Sequence, residues 1–96
     1  MADASNQLIQ ERTAIAAPNT WVAVTIPVGA RHPILGVEDG TATIRISYDN
    51  ALDPSTEGVF IAATGLYAFE GVNSVELTVY VSCSAATNAI LQYTKE

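Results

Sequence analysis

His32 is the one histidine and Cys83 the one cysteine in this 96-residue chain, and they are where chemistry would have to begin. A histidine acting as general base needs an orienting carboxylate on one side and a nucleophile on the other. His32 stands between Arg31 and Pro33, in a stretch that reads as loop, with neither partner nearby in sequence. It is expected to be a solvated or interfacial loop residue. Cys83 has no second cysteine with which to form a disulfide, and one Cys with one His falls short of a zinc site. Between Ser82 and Ser84, at the end of an alternating run, it reads as a passive thiol that behaves as a small hydrophobe.

The remaining candidate is acidic. Asp49, Asn50, Asp53 and Glu57 crowd one segment, and calcium takes several oxygen ligands from such loops. The spacing does not follow the EF-hand pattern, and Pro54 interrupts it. Asp and Asn bond their own backbone and Pro presets φ, so the segment is read as a turn, with calcium as the weaker alternative. Glu38-Asp39-Gly40 reads the same way. The six glycines are dispersed at strand ends, with no phosphate-cradling motif. These residues imply no cofactor, no metal and no catalytic apparatus, and the expectation is a non-enzyme.

Charge narrows the partners. Ten acids against four bases (Arg12, Arg31, Arg45, Lys95) give a net charge of -6. Nucleic acid binding requires clustered cations that displace counterions from phosphates, and anionic membranes make a similar demand. Four scattered bases do not meet it, so neither nucleic acid nor membrane is an expected partner. The start, Met1-Ala2-Asp3-Ala4, has neither the basic nor the apolar region of a secretory signal, and the expectation is synthesis and use without Sec export. No apolar run approaches the ~20 residues that span a bilayer.

The elements follow from periodicity. With 49% hydrophobic and 15% charged residues, the chain suits one folded domain that holds by its core alone. Residues 1–17 read as an N-terminal arm, and residues 18–96 as a β-sandwich domain. Within the arm, residues 6–12 fit a helix capped by Ser5 or an extended segment equally well. Leu8, Ile9 and Ile15 give the arm apolar area, so it is expected to pack on another subunit.

From Thr20 the period is two. Val22, Val24 and Ile26 share a face, and Pro27 and Gly29 end the run. Residues 33–37 are a short apolar run. Residues 41–48 alternate, with Ala42, Ile44, Ile46 and Tyr48 on one face. After the loop at 49–58 come short strands at 59–63 and 66–70, a turn at Gly71-Val72-Asn73, an alternating strand at 74–82 and a last strand at 88–94. Ile44, Ile46, Leu77 and Val79 are expected in the core. This is an all-β, single antiparallel β-sandwich of seven or eight short strands, jelly-roll-like or immunoglobulin-like.

Most aromatics join apolar partners and are expected inside. Tyr80 shares the polar face of its strand with Glu76 and Thr78, and Trp21 lies opposite Val22, Val24 and Ile26. Exposed aromatics favour interfaces, so Trp21 and Tyr80 join Leu8, Ile9 and Ile15 as candidate contact residues.

The run from Thr20 to Ala30, the strands at 42–47 and 59–63, the run Leu77-Thr78-Val79-Tyr80-Val81 and the Ala/Thr-rich turn after it resemble the small β-sandwich proteins encoded among phage structural genes. These are capsid decoration or cement proteins and related head or tail components. The resemblance covers nearly the whole chain through strand cadence and composition, and it carries no functional residue. It implies a non-enzymatic virion protein, made in the host cytoplasm. Its partners would be the major capsid protein or other virion proteins, with self-association as a homo-oligomer. The alternative is a carbohydrate- or ligand-binding sandwich module.

Overall fold

The computed structural model describes residues 7–62, 65–69 and 75–95. Eight strands follow one another: β1 (Gln7–Ile15), β2 (Val22–Ile26), β3 (Arg31–Val37), β4 (Ile44–Ser47), β5 (Val59–Ile61), β6 (Tyr67–Ala68), β7 (Leu77–Cys83) and β8 (Thr87–Lys95). They form two four-stranded antiparallel sheets, with orders β1-β8-β3-β6 and β2-β7-β4-β5. These are called the first and second sheet below. The first strand pairs with the last, the second with the seventh, the third with the sixth and the fourth with the fifth. Successive pairs alternate between sheets, as when one long antiparallel ribbon is wound around a core. This is the jelly-roll order, built of two Greek keys. An immunoglobulin sandwich would keep its first two strands in one sheet, and here they lie in different ones.

Local chemistry sets the strand ends. β2 stops at Pro27, and the Ala30 N–H donates to the Pro27 carbonyl at 3.2 Å. Gly29, at φ 86°, occupies the third position of this turn, where a type II turn requires positive φ. β3 carries one extra residue against β8 between Arg31 and Ile34, a β-bulge. His32 has φ 50° in this bulge, and Pro33, which has no N–H to give to a ladder, sits beside it. The Asp39 carboxylate accepts from the Thr41 N–H at 2.9 Å, so the strand expected at 41–48 starts as a turn and is regular only over Ile44–Ser47.

The core lies between the sheets. Val24 and Ile26 from β2, Leu35 from β3, Ile44 and Ile46 from β4, Val79 and Val81 from β7, and Leu91 and Tyr93 from β8 are all buried. Leu77, expected in the core, is half-buried and packs at its margin.

Three sequence expectations need correction. The arm expected to pack on another subunit is, over residues 7–15, a strand of the protein's own first sheet, paired along its whole length with β8. Ile15, expected at an interface, is 1% exposed in the core. Of the two options open for residues 6–12, the chain takes the extended one from Gln7 onward. Tyr48 and Phe60, expected inside with most aromatics, are 62% and 53% exposed. Tyr48 lies just past the end of β4, and Phe60 projects from an edge strand beneath the Arg45 guanidinium, 4.8 Å from its ring centre. The turn expected at Gly71-Val72-Asn73 and residues 1–6 lie outside the described residues.

The Tyr93 hydroxyl donates to Glu11 Oε2 at 3.2 Å and so ties β8 to β1. Burial, and then the Glu11 charge, raise the Tyr93 pKa above 10.0. The folded state therefore keeps a proton that the unfolded chain loses first. The stabilisation is complete below the unfolded pKa and drains away as pH climbs through the folded one. Denaturant titrations of the wild type and Tyr93→Phe are expected to converge as pH rises past 10. A constant gap between them across that range would contradict the assignment.

Candidate functional site

His32 is exposed at the β3 bulge, and Cys83 is a buried free thiol in the core. No group of three or more His, Cys, Asp or Glu that could hold a metal occurs among the described residues. The acidic loop uses its side chains on its own backbone. Asp49 accepts from the Ala51 N–H at 2.8 Å. Asp53 accepts from the Ser55 N–H at 2.9 Å and hydroxyl at 2.7 Å. Glu57 accepts from the Asp53 N–H at 2.6 Å. Hydrogen bonds from the backbone and hydroxyl of Thr41 and of Ser55 hold the Asp39 and Asp53 carboxyls below their ordinary pKa. These are turn-forming acids.

That loop covers part of one face of the molecule. The Trp21 indole N–H donates to the Leu52 carbonyl at 2.7 Å, and the Ser82 hydroxyl donates to the Pro54 carbonyl at 2.8 Å. Ser82 alternates with the inward-facing Val81 and Cys83, so the loop lies across the outer face of the second sheet. Gly58 makes the close approach. A Cβ there would stand 3.0 Å from the Ile46 carbonyl oxygen and 3.1 Å from the Trp21 ring, at a φ of 94°. Gly58→Ala is therefore expected to cost about 1–3 kcal/mol. Urea denaturation would report it, and an unchanged midpoint would contradict the close packing.

The outer face of the first sheet has no such cover among the described residues. Ala89, Leu91 and Tyr93 of β8 point into the core, so Ile90 and Gln92 point outward. Ile90 is in register with Arg12 of β1 and Gly36 of β3, and Gln92 with Gln10 and Ile34. A hollow of about 200 Å³ lies on this face, floored by Ile34, Gly36 and Ile90 and walled by Leu66, Gln10, Gln92 and Arg12. Gly36 makes room for Leu66, because a Cβ there would meet the Leu66 side chain at 2.5 Å. A second hollow, of about 220 Å³, adjoins it between Leu8, Ile34, His32 and Thr94. At the rim, Arg12 pairs with Glu38 at 3.2 Å, and the Asn88 amide donates to Glu38 at 2.7 Å. Leu8 and Leu66, at 72% and 66% exposure, stand out from this surface.

The five contact residues expected from sequence are therefore dispersed. Leu8 is exposed on the open face. Ile9 is partly buried against the core, and Ile15 is inside it. Trp21 is half-buried under the protein's own loop. Tyr80 is half-buried on that same sheet, in register with Ala23 and Ser47. Sequence reasoning missed Ile34, Leu66 and Ile90. A signal existed for two of them: Ile34-Leu35 and Ala89-Ile90-Leu91 are apolar on consecutive residues, so both faces of those strands carry apolar side chains. Such runs mark strands covered on both sides.

No protein-family model, curated protein or solved structure matches the chain.

Proposed function

We propose that this protein is a non-enzymatic structural component of a phage particle, a decoration or cement protein that binds and stabilises the shell. The observation that supports this reading best is the asymmetry of the jelly roll. One outer face is partly covered by the protein's own loop, at Trp21 and Ser82. The other presents Leu8 and Leu66, with the half-buried Ile34 and the buried Ile90 at the bottom of the hollow, within a rim of Gln10, Gln92, Arg12 and Glu38. An apolar patch with a polar rim is the anatomy of a protein contact. On a lattice, many copies let a modest contact hold through multivalency. The partners on this reading are the major capsid protein or other virion proteins. The carbohydrate-module alternative would draw on a row of exposed aromatics. Phe60 stacks under Arg45, whereas Tyr48 lines a hollow with Leu52, Val59 and Tyr67, so these two give it no common platform.

The test is co-sedimentation of the purified protein with particles stripped of it, using the wild type and Leu8→Glu/Leu66→Glu. Both leucines are largely exposed, so the variant should melt like the wild type while its binding falls at least tenfold. Wild-type protein that stays in the supernatant would overturn the reading. Equal binding by the variant would overturn the role given to this face.

A further inference from the structure

β1 is an edge strand of unusual length for its position. The other three edges, β2, β5 and β6, run for five, three and two residues, and β1 runs for nine. Its sequence, Gln7-Leu8-Ile9-Gln10-Glu11-Arg12-Thr13-Ala14-Ile15, contains no Gly and no Pro. Its register with β8 is unbroken over all nine pairs. Among the described residues, no backbone hydrogen bond reaches β1 except from β8. On its outer side the N–H and C=O groups have no backbone partner among the described residues, and such a row templates another strand.

From this edge we infer a strand-accepting site, occupied by an extended segment of a different protein. The charges of β1 argue against a second copy. A two-fold antiparallel pairing places side chains of like orientation opposite each other. Centred on Glu11, it sets Glu11 against Glu11; centred on Arg12, it sets Arg12 against Arg12. Centred on Gln10, it sets Ile9 against Glu11 and Leu8 against Arg12. Like charges directly opposite penalise the first two registers, and the third gains no ion pair because each charge faces an aliphatic side chain. A foreign strand has no such constraint. The one that fits carries a base across from Glu11, an acid across from Arg12, and apolar residues across from Leu8 and Ile9. Glu11 and Arg12 are already anchored on the inner side, by Tyr93 and Glu38, which fixes the charges that the incoming strand would meet. Main-chain bonds would supply affinity, and these two charges would supply register. The inference does not depend on the phage reading.

Synthetic peptides test it on the full chain. The β8 sequence 87–95 already pairs with β1 in the fold, and it serves as the parent peptide. A complementary version carries Leu91→Lys with Ile90→Glu, and a reversed version carries Leu91→Glu with Ile90→Lys. Amide hydrogen exchange, read residue by residue, should slow at alternate positions of β1 when peptide is added. The complementary peptide should bind about tenfold more tightly than the reversed one. Protection confined to β2, β5 or the open face would overturn the inference. So would no protection at millimolar peptide, equal affinity for the two charged peptides, or a wild-type protein that dimerises through β1 in solution.

Discussion

Deleting residues 1–15 is expected to unfold the domain. The deletion removes every one of the nine β1–β8 pairs and converts β8 from an inner strand into an edge. It takes Ile15 out of the core, strips Ile9 from its margin, and leaves the partly buried Tyr93 hydroxyl without Glu11. Burying one Ile side chain is worth about 1.5–3 kcal/mol. An unpaired buried polar group costs about 1–3 kcal/mol, and the ladder bonds add about 0.5–1.5 kcal/mol each. Together these reach the whole stability of a domain this size, about 5–15 kcal/mol. Circular dichroism and amide dispersion of the truncated chain would decide it. A cooperative melt within a few degrees of the wild type would show that the segment is the dispensable arm its sequence suggests.

The second large effect is expected at Leu91. It lies in the middle of β8, in register with Glu11 on one side and Leu35 on the other, and both leucines are fully buried. Leu91→Ala leaves a cavity between strands that cannot shift independently, because β8 is held on both flanks. The expected cost is about 3–5 kcal/mol. For a domain of this length that lowers the melting temperature by roughly 12–40 °C, at about 4–8 °C per kcal/mol. Leu77→Ala is the control. Leu77 is half-buried at the margin, and its truncation should cost less than half as much. Equal losses at the two positions would mean that the core is not centred on β8.

The legible part of the fold was the part with a local signature. β2, β4 and β7 each bury one face, so Val24, Ile26, Ile44, Ile46, Val79 and Val81 alternate with polar residues, and the period of two gives them away. β1 was not legible, for a physical reason. Only Ile9 and Ile15 of its inward set are apolar, and Glu11, exposed, and Thr13, half-buried, break the alternation between them. Its partner is also more than 70 residues away, and no short-range pattern records such a closure. Tyr48 and Val75 mislead in the opposite way. Both continue an alternation past the point where the ladder stops, and they end up in solvent. The choice of jelly roll over immunoglobulin order resides wholly in long-range pairing. Of the open face, only Leu8 was singled out from sequence, and the doubly apolar runs around Ile34 and Ile90 held a signal that alternation alone passes over. Leu66 joins them only because Gly36, on a different strand, leaves it room.

The central claim, that this jelly roll is a structural part of a phage particle, is tested most directly by quantitative mass spectrometry of particles purified from an infection that expresses it. The account predicts the chain in a fixed ratio to the major capsid protein, retained through density-gradient banding and released as intact chain by mild denaturant. Abundant chain in the lysate with none in the banded particles would contradict it.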